Sequence, residues 1–388
     1  MTPTPTPTPA ATISNTTANN PETPSGPPKE DYKYHDFLKL LRPSGTNEKV
    51  TVALFGVGRA GTIHLGNLLG NTRIILKYVV EERFERREEI ENMIGGSSSS
   101  AIQFVGADQT DAVLGDKGLQ AVVITTPTFA HKELVLKALD YGKAVFCEKP
   151  IADNNEDIKK CYQKAQDAGL PLLCAFNRRF DPSFSTLAKK VHAGELGKVH
   201  MVKTCARDSP LPSMEYLKIS NGIFHDCAVH DIDLVCWTLG QFPTRVFSTA
   251  TAHRKEIADI DDFDTVAIQM TFPEGTMALI DLSRFAVYGY DQRIEVFGPG
   301  GMLQCNNQSS VTLQSYKSDG VQDQPIWYSF ASRYDDAYKR QLDHFINVVQ
   351  GKEELIITAK QTLACCRVAS AAEKSARTGL PVDIKYDD

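Results

Sequence analysis

Short, uninterrupted apolar runs alternate with longer helix-periodic stretches in the early part of the chain. The runs at 50–55 (VTVALF), 74–80 (IILKYVV), 121–124 (AVVI) and 144–147 (AVFC) each read as a strand buried on both faces. Helical stretches follow, to about residue 69 after the first run and over about 131–139 after the third. This alternation predicts α/β architecture: a doubly wound, parallel-sheet Rossmann domain over 48–150. Beyond residue 150 the period changes. A helix is expected over 153–168, with Asp153 as its N-cap. Runs with a period of two then follow at 199–204, 244–250, 264–271, 276–281 and 292–297, and Phe272-Pro273-Glu274-Gly275 supplies a hairpin turn. Helices over 334–350 and 358–375 close the chain. Residues 151–388 are therefore expected to form an α+β domain with a large, mostly antiparallel open sheet.

Residues 1–47 are different material. The first 30 hold a Thr-Pro repeat and no charge before Glu22, so a disordered Thr/Pro-rich tail is expected there. The tail has neither the basic start and apolar middle of a secretory signal nor the arginines of a transit peptide. The remaining chain, from 388 residues that are 42% hydrophobic and 23% charged, suffices for two domains. A net charge of −6 argues against a general nucleic-acid or anionic-membrane partner. The sequence has no apolar run long enough to span a bilayer. Nine cysteines, an odd number with no C-x-x-C, suit reduced thiols and a cytoplasmic location.

The chemistry begins where the first strand ends. Gly56-Val57-Gly58-Arg59-Ala60-Gly61 lies between a strand and a helix, where a dinucleotide fingerprint must lie. Gly56 permits the turn, Gly58 lets a pyrophosphate approach the backbone, and Gly61 lets helix and strand pack closely. The next strand runs into Glu81, placed to accept hydrogen bonds from ribose hydroxyls and to repel a 2′-phosphate. NAD is expected over NADP, although Arg83, Arg86 and Arg87 follow closely. Thr126, Pro127, Glu148 and Lys149 sit at strand carboxyl ends, where such sheets bind ligands. Pro150 restrains Lys149.

Two His-Asp pairs crowd the stretch Asn221-Gly222-Ile223-Phe224-His225-Asp226-Cys227-Ala228-Val229-His230-Asp231-Ile232-Asp233. A helix is expected from about Phe224 to Leu239, ended by Gly240. It would put Asp226 and His230 on one face at i, i+4 and leave Asp231 on another. Too few convergent ligands are present for a metal. A solvated face is disfavoured by the apolar flanks, which would bury both groups. An acid–base relay remains: His230 takes a hydroxyl proton, Asp226 sets its tautomer, and Lys149 stabilises alkoxide charge.

From about residue 49 to 384 the chain resembles the glucose–fructose oxidoreductase/inositol dehydrogenase (Gfo/Idh/MocA) family. The likeness is carried by the glycine fingerprint, Thr126-Pro127-Thr128 with His131, and Ala138 through the signature Glu148-Lys149-Pro150. Phe176-Asn177-Arg178-Arg179-Phe180-Asp181, Arg207-Asp208-Ser209-Pro210, the Asp226/His230 stretch and Tyr288-Gly289-Tyr290-Asp291-Gln292-Arg293 complete it. The later elements look most like the inositol 2-dehydrogenase branch. One departure is Asn221-Gly222, where relatives often show two glycines. The resemblance implies Lys149, Asp226 and His230 as the catalytic group, and an NAD site that includes Arg59, Ala60 and His131. It also implies a polyol pocket drawing on Asn177, Arg178, Asp208, Tyr288 and Tyr290. The expected reaction is hydride transfer from a secondary hydroxyl of a cyclic polyol, myo- or scyllo-inositol, to NAD. Oxidation of another sugar, sugar acid or diol is the close alternative, and a catalytically silent NAD/sugar-binding regulator the distant one. A homodimer or homotetramer built through the second sheet is expected.

Overall fold

The computed structural model describes residues 48–94 and 101–386. The tail expected over 1–47 lies outside the described residues. The first sheet has six parallel strands: β1 (Val50–Phe55), β2 (Ile74–Val80), β3 (Gln103–Val105), β4 (Ala121–Ile124), β5 (Ala144–Cys147) and β6 (Leu172–Cys174), in the order β3-β2-β1-β4-β5-β6. β4 and β5 are buried at every position, as continuous apolar runs require once both faces are covered. Helices α1 (Arg59–Gly70), α2 (Phe84–Ile94), α3 (Thr128–Asp140) and α4 (Asn155–Ala168) connect the strands. The chain reverses its winding between β1 and β4, which opens a crevice at their carboxyl ends.

Two details depart from the sequence reading. The N-cap of α4 is Asn154, whose side chain accepts from Asp157 N; Asp153 lies one residue too early to reach that amide. The boundary expected at residue 150 cuts through the first lobe. β6 pairs with β5, and α7 (Asp335–Val349) returns from the far end of the chain to the first sheet. Leu342, Phe345 and Ile346 of α7 share a core with Val52, Leu54, Val123 and Phe146.

The second sheet has seven strands in the order β12-β11-β7-β10-β9-β8-β15. They are β7 (Met201–Arg207), β8 (Arg245–Thr251), β9 (Thr265–Thr271), β10 (Met277–Ser283), β11 (Asp291–Gly298), β12 (Gly301–Cys305) and β15 (Val382–Asp383). A separate hairpin supplies β13 (Gln314–Lys317) and β14 (Gly320–Asp323). Only β7 and β10 pair in parallel; all other pairings in this sheet are antiparallel. Alternation sends Val246, Ile268, Met270, Ala278 and Ile280 into a core shared with α5 (Pro182–His192), α6 (Val229–Leu239) and α8 (Ala359–Thr378). The opposite face leaves Phe247, Met277, Leu279, Phe297 and Met302 exposed.

The helix expected from about Phe224 to Leu239 is present but not regular: Phe224–Ala228 form a π-helical turn inside it, after two α-helical residues at 222–223, and α6 continues from Val229 until Gly240 ends it in the left-handed region.

Candidate active site

A cleft of about 860 Å³ runs from the glycine loop to the first turns of α6. Its upper end is set by backbone geometry. Gly56 has φ +82, and a Cβ there would lie 2.9 Å from the Thr126 backbone; a Cβ on Gly61 would lie 2.4 Å from Gly56 O. Above Gly58 a Cβ would meet nothing within 4 Å. Helix α1 opens after Gly58 with no side-chain cap, so its first amides keep their donor capacity. Thr126 Oγ1 is buried beside them with no partner.

The Glu81 carboxylate accepts from Val57 N (2.8 Å) through one oxygen and from Arg83 N (3.1 Å) and Nε (3.2 Å) through the other. Burial pushes this carboxyl up, but the amides of Val57 and Arg83 outweigh it and hold the group below its ordinary value. Arg83 is thus engaged by Glu81. Arg86 donates to Val57 O and Thr62 Oγ1 and pairs with Glu89, and Arg87 pairs with Glu91. The three arginines all have carboxylate partners, and the Glu81 carboxylate at the end of β2 is the group that disfavours a 2′-phosphate there. Uncapped amides, open space over Gly58 and this carboxylate fit NAD.

Lys149 follows β5 and reaches across the cleft. Its Nζ donates to the main-chain oxygen of Asp226 (2.5 Å) and to Asp226 Oδ1 (3.1 Å). Asp226 Oδ1 also accepts from Tyr216 Oη (2.7 Å), while Oδ2 accepts from Arg284 Nη1 (3.0 Å). Burial pushes the Asp226 carboxyl up, but the Lys149 and Arg284 cations overcome it and hold the group ionised, well below the carboxylate range. His230 lines the same cleft, and its Nδ1 is buried without a hydrogen-bond partner. Burial first, then the Lys149 and Arg178 cations, push its pKa well below 6.5, so the imidazole is neutral.

The expected Asp226–His230 hydrogen bond is not made. The π turn alters the spacing between the two residues, and the Asp226 carboxylate is taken by Lys149, Tyr216 and Arg284. Arg178 lines the cleft, but its Nη1 closes on Asp231 Oδ1 at 2.9 Å in a buried ion pair, so its charge is already answered. Tyr288 is 54% exposed, donates to Asp291 Oδ2, and is absent from the cleft wall; Tyr290, two residues on, is buried in that wall. The turn at 287–288 and the positive φ of Gly289 (+123) break the extended alternation that would otherwise have put both tyrosines on one face. Asn177 and Asp208 both line the cleft, where burial, followed by the neighbouring Asp226 charge, pushes the Asp208 carboxyl up. His131 sits under the loop with Nδ1 2.7 Å from Pro150 O and Nε2 2.8 Å from Thr126 O, so it braces two loops through their backbones. Glu148 pairs with His64 Nε2 (2.8 Å) and accepts from Lys149 N (3.2 Å).

Sequence reasoning missed Arg284 and Tyr216. Arg284 is fully buried and bridges Asp226 to Asp262 (Nη2–Oδ2, 2.9 Å). The signal was an arginine directly after the apolar alternation of β10, but nothing in sequence names its partners. Gln292 and Tyr334 also line the cleft with buried, unpartnered polar atoms.

Cleft, glycine loop and the lysine–carboxylate–imidazole group define a two-lobed nicotinamide-dependent oxidoreductase. A model of an oxidoreductase family with an NAD-binding Rossmann fold matches residues 50–176, and one of the GFO/IDH/MocA C-terminal domain matches 184–304. The chain is 35% identical to the inositol 2-dehydrogenase of Rhizobium meliloti, over 84% of this chain and 96% of that protein. It is 31% identical to the scyllo-inositol 2-dehydrogenase (NAD(+)) of Bacillus subtilis, over 87% and 96%. A crystal structure of a myo-inositol dehydrogenase from Corynebacterium glutamicum superposes with a TM-score of 0.79 at 29% identity, over 87% of this chain and all of that one. The chain belongs to the GFO/IDH/MocA family of NAD-binding oxidoreductases.

Proposed function

We propose that this enzyme oxidises one secondary hydroxyl of a cyclic polyol, myo- or scyllo-inositol, to the ketone. NAD, when bound, supplies the hydride acceptor. Gly56, Gly58, Arg59, Ala60, Gly61, Thr126 and Pro127 cradle its phosphates and ribose, and Glu81 reads the ribose hydroxyls. Lys149 Nζ donates a hydrogen bond to the substrate oxygen and stabilises negative charge that develops there. His230, neutral and with polar capacity free, takes the hydroxyl proton. Asp226 holds the ammonium in place; its contacts give it no role in setting the His230 tautomer. Asn177, Asp208 and Tyr290 offer groups for the remaining hydroxyls, and Arg178 orders the wall through Asp231.

One observation carries this reading. An ammonium from the first lobe, and a carboxylate and an imidazole with an unpartnered Nδ1 from one helical segment of the second, face one cleft beside the glycine loop. The decisive experiment follows NADH formation with myo-inositol, scyllo-inositol, glucose and xylose, with NAD and NADP in parallel. Turnover of an inositol with NAD is expected, and none with any cyclic polyol overturns the proposal.

Two further parts of the reading rest on surface and thiol chemistry. All nine cysteines are unpaired, which supports a reducing, cytoplasmic setting. No helix among the described residues is long and apolar enough to cross a membrane. The exposed apolar side chains on the second sheet support a homodimer or homotetramer joined through that face.

A further inference from the structure

We propose that Tyr216 is a positioning residue that joins the glycine loop to the acid–base centre across the cleft. The proposal deepens the polyol-dehydrogenase reading and rests on it for its kinetic part. Tyr216 lies in a single turn of helix, Met214–Leu217, 10 residues before Asp226 and far in sequence from Arg59.

Its two ends act on different partners. The ring face lies 4.5 Å from the guanidinium carbon of Arg59, the first residue of α1 and the one directly after Gly58. Phe330 approaches the same guanidinium at 5.1 Å, so two rings hold the loop's cation. The hydroxyl donates to Asp226 Oδ1 at 2.7 Å, the oxygen that also accepts from Lys149 Nζ at 3.1 Å. Burial, then the Asp226 charge, keep the phenol protonated and hence a donor.

Two consequences follow. A carboxylate oxygen shared between a phenol and an ammonium binds the ammonium less tightly than an unshared one. The phenol therefore loosens the carboxylate's share of the hold on Lys149, while the main-chain oxygen of Asp226 keeps the ammonium aimed at the position of a substrate oxygen. The stacked Arg59 ties the loop that receives the pyrophosphate to the same ring. Seating of the cofactor and the charge state of the acid–base group are thus linked through one side chain.

The test separates the two ends in the full-length protein. Tyr216→Phe keeps the ring and removes the donor, and Tyr216→Leu removes both. By NADH fluorescence titration, Y216F should bind within about twofold of wild type and Y216L about fivefold more weakly. With an inositol substrate, Y216F should lose about tenfold in kcat with little change in KM for NAD. His230 is faced by Lys149, Arg178 and Asp226. Without the phenol the Asp226 charge is less compensated and favours imidazolium, so the acid limb of kcat/KM should move to higher pH. Arg59→Leu should reproduce the weaker NADH binding without moving that limb, and it replaces Y216L if that variant does not fold. Wild-type kcat and pH profile in Y216F, or wild-type NADH affinity in Y216L or R59L, overturn the proposal. Absence of polyol turnover in the wild type instead defeats the function proposed above, and NADH affinity alone then decides the role of Tyr216.

Discussion

Lys149 Nζ is held by two oxygens of Asp226, the main-chain carbonyl and carboxylate Oδ1, at 2.5 and 3.1 Å. The lysine ends a strand of the first lobe, and the aspartate lies in a π turn of the second. The contact therefore closes the cleft and builds its chemistry at once. His230 stands beside this pair without hydrogen-bonding to it, poised to receive a proton rather than already committed.

Removing either the base or the ammonium that stabilises the developing charge should cripple turnover and spare the cofactor site. Lys149→Met and His230→Ala are each expected to lower kcat about 10²–10⁴-fold while NADH affinity stays within a few-fold of wild type. Steady-state kinetics with fluorescence titration checks both parts.

The pH profile follows from the burial of His230. Its folded pKa lies well below 6.5, so the neutral base persists as the pH falls through 6.5 and is lost only below the depressed value. The acid limb of kcat/KM should therefore fall below pH 6.5. A limb at or above 6.5 would contradict the neutral, desolvated ring.

Glu81 should govern cofactor choice. Glu81→Gln keeps an acceptor for Val57 N but removes the charge facing the ribose. NAD binding should weaken about tenfold, and the preference over NADP should narrow. Comparing kcat/KM for the two cofactors reads this directly.

Arg284 is a stability determinant as well as a support for the site. Arg284→Met leaves the buried carboxylates of Asp226 and Asp262 without their shared cation. A loss of about 3–5 kcal/mol is expected, seen as a lower urea midpoint, together with reduced turnover.

The second sheet's open face should hold the assembly together. Leu279→Asp with Phe297→Asp places two charges among its exposed apolar side chains. Light scattering should then give a smaller particle than wild type.

The parallel sheet, its glycine loop, Glu81 and the lysine after β5 were legible because each is a local pattern. Apolar runs buried on both faces and glycines needed at fixed points of a turn mark themselves along the chain. The period-two strands of the second sheet showed for the same reason, since alternation records which face meets the core. What side chains touch across the fold is not recorded that way. Arg178 and Tyr288 looked alike as substrate groups, yet the fold puts Arg178 in the cleft wall, paired with Asp231, and leaves Tyr288 out of that wall, bonded to Asp291. The lobe boundary was hidden because α7 completes the first sheet's cover from nearly two hundred residues beyond it.

The chain's own order of residues thus determined which elements form and which chemical groups are available. Tertiary structure decided which groups pair. A π turn, the nearby Tyr216 and the distant Arg284 turned Asp226 from a histidine's companion into a lysine's anchor. The physical reason is that secondary structure follows from nearest-neighbour sterics and apolar periodicity, whereas the fate of a buried charge depends on whichever donors the packed fold brings within hydrogen-bond reach.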